Sequence, residues 1–151
     1  MFTIQNDTVD LMAMKITPLI VNLAHQMLPA LEPKYKKNAD LMIGRLEHWY
    51  GSMDENSVDA SIYASWQYKF YSSLLTIHIL DKQMRYAILG NDPFQDFFQR
   101  MIHSLVEDPE NERMNSICKG AFPEYKGKRH CMYNIARSMS DAFDFLTENI
   151  S

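Results

Sequence analysis

Residues 39–66 decide the fold, and they read ADLMIGRLEHWYGSMDENSVDASIYASW. In the first half, apolar residues recur at the i, i+3, i+4 and i+7 spacing that places side chains on one face of an α-helix. This face carries Ala39, Met42, Ile43, Leu46, Trp49 and Tyr50, while Asp40, Arg45, Glu47 and His48 fall largely on the other face. The spacing therefore predicts an amphipathic helix that buries Trp49.

A second helix is predicted after a short polar turn. Gly51 can end the first helix in a left-handed conformation that a side chain would penalise. Asn56 or Ser57 can cap the next helix through a side-chain oxygen. One stripe of that helix carries Val58, Ile62, Trp66, Phe70 and Leu74. The pattern predicts a helical hairpin whose two tryptophans face one core.

The remaining segments also show helical periodicity, and none alternates as a β-strand does. Pro18 is expected to interrupt a first helix over residues 1–16, with Thr17 capping a second one that stops near Pro29 and Pro33. Residues 74–89 are expected to continue the helix that begins near residue 58 or to form a kinked successor to it. A further helix is predicted to begin at Asp92, with a cap formed by Asp92, Pro93 and Gln95, and to end before Pro109. The last helix is predicted over residues 129–148. Their stripes carry Phe94, Phe97, Phe98, Met101, Ile102 and Leu105 in the first, and Met132, Ile135, Met139, Ala142, Phe143 and Leu146 in the second.

These segments predict an all-α unit over residues 1–151, an irregular bundle of about six helices rather than a regular four-helix bundle. Residues 107–128 are expected to form one long irregular loop, because they contain two prolines and two glycines. The methionines in the helical stripes are expected to fill the core.

Composition excludes several classes of function. The 151 residues suit one domain, and the formal net charge of −4 gives no basic surface for nucleic acid. No apolar run approaches the roughly 20 residues of a transmembrane helix. The first ten residues, MFTIQNDTVD, lack the basic start and apolar core of a secretory signal.

The same central stretch resembles the penicillin acylase (penicillin amidase) family. The resemblance rests on a helix ending in Leu-x-x-Trp-x-Gly-x-Met, a polar turn, and then Ser-x-x-Ala-Ser-Ile-Tyr-x-x-Trp. The matching residues are Leu46, Trp49, Gly51, Met53, Ser57, Ala60, Ser61, Ile62, Tyr63 and Trp66. An earlier segment, with Ile4, Gln5, Asp7, Thr8, Ala13 and Pro18, is also similar to the family. Tyr50 stands where many members have Asp.

The resemblance implies an N-terminal nucleophile hydrolase that cleaves linear amides. In such enzymes the nucleophile is a serine at the start of the mature large subunit, and its own α-amino group acts as the base. This chain contains no Ser-Asn dipeptide, begins with Met1, and matches only the helical part of that subunit. We therefore expect no catalytic, cofactor-binding or metal-binding residue in this chain, and no amide hydrolysis by the chain alone. The family's calcium-binding acids lie in other segments, and the expected partners are the remaining segments or subunit of the acylase.

Two cysteines, Cys118 and Cys131, lie at the two ends of the predicted loop. The residues alone leave three interpretations open: a disulfide, two buried free thiols in a reducing compartment, or a metal site that lacks further ligands. The resemblance favours the disulfide, because many relatives carry a Cys, a short loop containing Pro, and a second Cys that opens a helix. A disulfide in turn favours an extracytoplasmic location.

No other catalytic pattern stands out. The histidines His25, His48, His78, His103 and His130 show no metal-ligand spacing, and there is no G-x-S-x-G turn or glycine-rich phosphate loop. Two hypotheses remain: the helical portion of a penicillin acylase-like amide hydrolase, or a non-catalytic helical module that acts through protein contacts.

Overall fold

The computed structural model describes residues 11–49, 57–78 and 92–150. Within these ranges the chain forms six α-helices and no β-strand, which confirms the all-α prediction. A short 3-10 helix, Leu28–Ala30, joins the first two helices. In this part of the chain, no helix combines the length and the apolar character needed to cross a membrane. The α-helices are α1 (Leu11–Met27), α2 (Pro33–Leu46), α3 (Val58–His78), α4 (Asp92–Glu107), α5 (Glu112–Cys118) and α6 (His130–Ile150).

The last helix, α6, forms the centre of the fold and contacts α1, α2, α3 and α5. Its first two turns are buried on every side, because all six residues from Cys131 to Ala136 are at most 2% exposed. A helix that is buried all round must be enclosed by other elements. Small buried residues on the following turns, Ser138, Ser140 and Ala142, leave room for neighbouring helices to approach closely. Four of the other helices therefore pack around α6, and α4 packs mainly on α1, instead of forming a regular four-helix bundle.

An aromatic cluster joins α3 and α4 to this central helix. Trp66 is fully buried, and its indole N–H donates a hydrogen bond to the backbone carbonyl of Ile135 on α6, with a distance of 3.0 Å. The Trp66 ring stacks on Phe70 at 5.5 Å between centroids and meets Phe98 of α4 at 5.9 Å. One buried tryptophan thus contacts three helices.

The α2–α3 hairpin largely confirms the sequence prediction. Trp49 is 8% exposed and Trp66 is fully buried. Ser57 caps α3, since its hydroxyl accepts a hydrogen bond from the Ala60 N–H at 3.1 Å. The prediction was wrong for Val58, which is 57% exposed, because a side chain in the first turn extends beyond the neighbouring helices. The buried residues of the predicted α2 face are Ala39, Met42, Ile43 and Leu46.

The predicted break at Pro18 is wrong. Helix α1 runs from Leu11 to Met27 with Pro18 inside it. Proline removes one backbone hydrogen bond and costs about 3 kcal/mol in a helix interior. Here Pro18 is exposed, so the carbonyl that it frees can bind water. Ile16 and Ile20, on either side of it, are at most 1% exposed and keep both halves packed on the core. Thr17 is buried, and its hydroxyl has no hydrogen-bond partner, so it caps no helix.

The predicted irregular loop over residues 107–128 is also wrong in part, because it contains helix α5. Asn111 caps this helix by accepting a hydrogen bond from the Met114 N–H at 3.0 Å. Seven residues make fewer than two turns and show no clear periodicity in sequence. The irregular residues are therefore 108–111, before α5, and 119–129, which are called the α5–α6 loop below.

Other predicted elements agree with the structure where it describes them. Helix α4 ends at Glu107, and Phe98, Met101, Ile102 and Leu105 on its stripe are fully buried. On α6, Met132, Ile135, Met139 and Ala142 are buried, whereas Phe143 and Leu146 are half-buried. Met27, Met42, Met101, Met132 and Met139 are at most 5% exposed, as expected for core methionines, whereas Met12 is only partly buried.

Several predictions lie outside the described residues. They concern the helix over residues 1–10 with Asp7, the positions Tyr50, Gly51 and Asn56, and the helix predicted over residues 79–89. The cap formed by the Asp92, Pro93 and Gln95 side chains also lies outside, although α4 does begin at Asp92. Helix α2 ends at Leu46, earlier than the predicted helix end near Gly51.

We expect Trp66→Phe to lower the free energy of unfolding by about 2 to 4 kcal/mol, because it removes the hydrogen bond to Ile135 and leaves a cavity. Urea denaturation followed by circular dichroism measures this change. Tyr68→Phe is the matched control, since Tyr68 lies on the same helix and is 52% exposed; we expect a change within about 0.5 kcal/mol. Equal effects of the two substitutions would contradict the role of Trp66.

Candidate functional site

Most of the motif residues that the structure describes are buried around the α2–α3 hairpin, whereas Ser57 is half-buried and Ser61 is exposed. Tyr63 is 2% exposed, and its ring lies 5.2 Å from Trp49 and 5.9 Å from Trp66 between centroids. Ser57 begins α3 as its cap. The motif therefore fixes the hairpin and its packing on α6. Asp7 and Gly51 lie outside the described residues.

The two cysteines form a disulfide that joins the end of α5 to the start of α6. The Cα atoms of Cys118 and Cys131 are 5.0 Å apart, and both residues are at most 1% exposed. This confirms the disulfide and excludes the free-thiol and metal-site interpretations. The bond closes the α5–α6 loop at its base.

Asn115 connects α5 to both neighbouring segments. Its side-chain amide donates to the backbone carbonyls of Pro109 and Asn111, at 3.1 and 2.8 Å, and its oxygen accepts from the Cys131 N–H at 3.0 Å. Asn134 on α6 donates in turn to the Cys118 carbonyl at 3.3 Å. Polar groups around the disulfide are therefore satisfied although they are buried, as stability requires.

The α5–α6 loop is held against α6 by aromatic contacts. Tyr125 stacks on Tyr133 with 4.6 Å between ring centroids, and its hydroxyl accepts from the Arg129 N–H at 3.0 Å. Phe122 contacts Tyr133 edge-on at 6.0 Å. A Cβ atom at position 127 would collide with the Tyr125 hydroxyl, so this close approach requires Gly127.

Arg137 is the centre of the polar cluster on α6. Its guanidinium lies 3.6 Å from the centroid of the Tyr35 ring of α2 and 5.0 Å from that of Phe122. It pairs with Asp141 one turn later, and its Nε lies 3.6 Å from Glu124 Oε2. Stacking between two rings and pairing with two carboxylates suits the planar guanidinium. Arg137 thus joins α2, α6 and the α5–α6 loop.

Tyr133 completes this cluster by donating a hydrogen bond to Glu124 Oε2 at 2.7 Å. Burial, and then the bond to the Glu124 carboxylate, raise the pKa of Tyr133 above its usual range, so its hydroxyl stays protonated. The pKa of Asp141 is also raised, because burial outweighs the attraction of Arg137. The cluster therefore holds an ion pair and a neutral phenol in place.

A pocket of about 370 Å³ lies beside this cluster, between α3, the start of the α5–α6 loop and α6. Asp141 of the polar cluster and Lys69 of α3 both line it. The remaining lining residues are Ser72, Ser73, Gly120, Ala121 and Phe122.

The sequence analysis missed the members of the polar cluster, which are Tyr35, Glu124, Tyr133, Arg137 and Asp141. One signal was available: Arg137 and Asp141 are an oppositely charged i, i+4 pair within a stripe of apolar residues. Partners from α2 and the loop could not be found, because their proximity depends on the tertiary fold.

Five of the described serine side chains are engaged by the backbone or buried. The hydroxyls of Ser61, Ser73 and Ser116 donate to backbone carbonyls of the preceding turn, and those of Ser138 and Ser140 are fully buried. Within the ranges that the structure covers, no group of three or more His, Cys, Asp or Glu side chains could hold a metal ion. At the start of α6, burial and then Lys119 lower the pKa of His130.

Comparison with known proteins identifies the family. The family model described as penicillin amidase matches residues 1–151, the whole chain. The chain belongs to the penicillin amidase family. No curated protein and no solved structure is significantly similar to it.

Membership gives the penicillin amidase motif a structural interpretation in this chain. Trp49, Tyr63 and Trp66 are neighbours in one aromatic row, and Ser57 begins the helix that carries two of them. The Cys118–Cys131 disulfide and the polar cluster then fix the loop that leads into α6. These features build a rigid helical unit within a family of amide hydrolases.

We expect loss of the disulfide to lower the free energy of unfolding by about 3 kcal/mol, because a bridge across a sequence separation of 13 restricts the unfolded chain. The variant Cys118→Ala/Cys131→Ala, compared with the parent chain by urea denaturation, measures this effect. Thiol alkylation and mass spectrometry of the denatured parent should add no label before reduction and two labels afterwards. Two labels on the unreduced chain would contradict the disulfide.

We expect Tyr133→Phe to lower the free energy of unfolding by about 1 kcal/mol at pH 7, through loss of the bond to Glu124. Because the folded pKa of Tyr133 is raised, its contribution is fully present below the ordinary tyrosine pKa of about 10 and is lost as the pH rises through the folded value. The stability advantage of the parent over Tyr133→Phe should therefore shrink above about pH 10.

Urea denaturation at a series of pH values measures this difference. Glu124→Gln is the matched background, since it keeps the shape of the partner and removes its charge. The effect of Tyr133→Phe should be smaller in that background. An advantage that stays constant or grows in alkali would contradict the assignment.

Proposed function

We propose that this chain is the helical portion of a penicillin acylase-like hydrolase that acts on the carbon–nitrogen bonds of linear amides. The match of the penicillin amidase family to all 151 residues carries this proposal. The helices would form one rigid unit, residues 1–151, beside the segments that hold the nucleophile. Those segments, or a separate subunit, are the proposed partners.

The nucleophile is proposed to lie outside this chain. The resemblance implies a serine whose own α-amino group acts as base, and no serine here is followed by Asn, as that nucleophile usually is. Ser57, the serine of the motif, serves as a helix cap. The serine hydroxyls described above donate to carbonyls or are buried, which agrees with a supporting role for these helices.

An extracytoplasmic location is also proposed. The Cys118–Cys131 disulfide supports it, since structural disulfides persist in oxidising compartments and are rare in a reducing cytosol. Localisation of a tagged full-length protein by cell fractionation tests this proposal. Recovery of a reduced protein from the cytosol would contradict it.

The experiment that tests the activity compares the chain alone with the complete product of its gene. Both are purified and assayed for release of the amine from penicillin and phenylacetyl-anilide substrates. We expect turnover by the complete protein and none by residues 1–151 alone. Activity restored by adding the missing segments to the chain would support a shared active site.

Ser57 provides the internal control. Ser57→Ala should cost about 1 kcal/mol of stability through loss of the cap, whereas Ser57→Thr should retain most of it. Turnover by the chain alone that is lost in Ser57→Ala would overturn the proposal. A complete protein that cleaves none of these amides and only binds a partner would favour the alternative, a non-catalytic interaction module.

A further inference from the structure

The pocket between α3, the α5–α6 loop and α6 has the dimensions of a small-molecule site. Its volume of about 370 Å³ falls at the lower end of the range of roughly 300 to 1,000 Å³ that is typical of ligand pockets. Three structural elements contribute walls, and the loop wall is fixed by the disulfide at Cys118. The pocket is an open surface depression, and its loop wall is held in place at one end by the disulfide.

Lys69 and Asp141 carry opposite charges and both face this pocket, but they do not pair with each other. Lys69 lies on α3 and Asp141 on α6. Within the described ranges, no carboxylate oxygen lies within 4.0 Å of the Lys69 ammonium, the limit for an ion pair. The Lys69 ammonium instead lies 5.1 Å from the centroid of the Phe145 ring. The two side chains are nevertheless close enough for Lys69 to lower the pKa of Asp141, against the larger effect of burial. Lys69 and Asp141 are therefore neighbours on the pocket wall that form no ion pair with each other.

Asp141 retains an unused acceptor. Its Oδ1 pairs with Arg137, and its other carboxylate oxygen makes no hydrogen bond to the described part of the chain. Arg137 itself is shared between Asp141 and Glu124, so little of its charge is left for a ligand. The nearby Asp144 already accepts a hydrogen bond from Asn38, at 3.3 Å. Lys69 and Asp141 are thus the charges that a ligand would meet.

We propose that this pocket binds a small zwitterion, an amino-carboxylate, with its carboxylate on Lys69 and its ammonium on Asp141. A simple anion would bind Lys69 but would be repelled by Asp141. A simple cation would bind Asp141 but would be repelled by Lys69. A ligand that carries both charges satisfies both walls through charge-assisted hydrogen bonds.

The other walls suit the uncharged part of such a ligand. The Ser73 hydroxyl donates its proton to the Phe70 carbonyl at 2.7 Å, so its oxygen remains available as an acceptor for the ammonium. Ala121 and Phe122 offer an apolar wall to a short carbon chain. The proposal does not depend on amide hydrolysis, and the site exists whether or not the chain belongs to an active enzyme.

The test titrates the 151-residue chain with glycine, β-alanine and 4-aminobutyrate, which differ in the distance between their charges. Propionate and propylammonium are the single-charge controls. Isothermal calorimetry should give a dissociation constant on the order of 1 mM for at least one zwitterion, and binding at least about tenfold weaker for both controls. Amide chemical-shift changes should be confined to residues 69–73, 120–122 and 141.

Two substitutions with matched controls locate the binding. Lys69→Gln and Asp141→Asn should each weaken zwitterion binding by about tenfold, a loss of about 1.4 kcal/mol. Lys36→Gln and Asp40→Asn, both at exposed positions of α2, should leave it unchanged. Asp141→Asn weakens the ion pair with Arg137 and so could disturb the fold. In that case the binding measured for Lys69→Gln still decides the test.

The proposal is overturned if no zwitterion binds below about 50 mM. It is also overturned if propionate binds as tightly as the zwitterions, which would indicate an anion site on Lys69 alone. Unchanged affinity in Lys69→Gln would place any binding elsewhere on the chain.

Discussion

Enclosure of α6 on all sides is the constraint on which the rest of the structure depends. Because every residue from Cys131 to Ala136 is buried, other elements must surround the start of this helix. The indole of Trp66 fixes α3 by bonding to the Ile135 carbonyl, and the disulfide fixes the end of α5. The Tyr35–Arg137 stack adds α2. Three of the four neighbours of α6 are thus attached by a specific contact in addition to general apolar packing.

The same constraint positions the polar features of the molecule. Arg137 follows the fully buried part of α6, so its charge must be balanced by partners that the surrounding elements supply. The α5–α6 loop supplies Glu124, which also accepts the bond from Tyr133, and α6 itself supplies Asp141. This arrangement leaves Asp141 facing a pocket whose other charge, Lys69, comes from α3. In the motif of the penicillin amidase family, Trp49 and Tyr63 extend the aromatic row from Trp66 and complete the hairpin core.

Sequence reasoning predicted the elements whose signals are local. The spacing of Phe98, Met101, Ile102 and Leu105 defined the buried face of α4, and the serine before Val58 marked the start of α3. Local rules failed where tertiary packing decides. Burial of Ile16 and Ile20 keeps α1 intact through Pro18, and α5 is too short to show a period. The polar cluster could not be predicted, because Tyr35, Glu124 and Arg137 lie far apart in the sequence and meet only in the folded chain. The disulfide was implied by family resemblance and not by the residues alone.

Native-state hydrogen exchange tests the central position of α6 most directly, because it reports the free energy of opening for each backbone amide. The amides from Ile135 to Ala142 should be the most slowly exchanging in the chain, with an opening free energy equal to that of global unfolding. The first turn of α1, where Leu11 is 69% exposed, should exchange through local opening at lower free energy. Faster exchange in residues 135–142 than in α1 or α2 would contradict the account, since it would show that α6 opens while the helices around it remain folded.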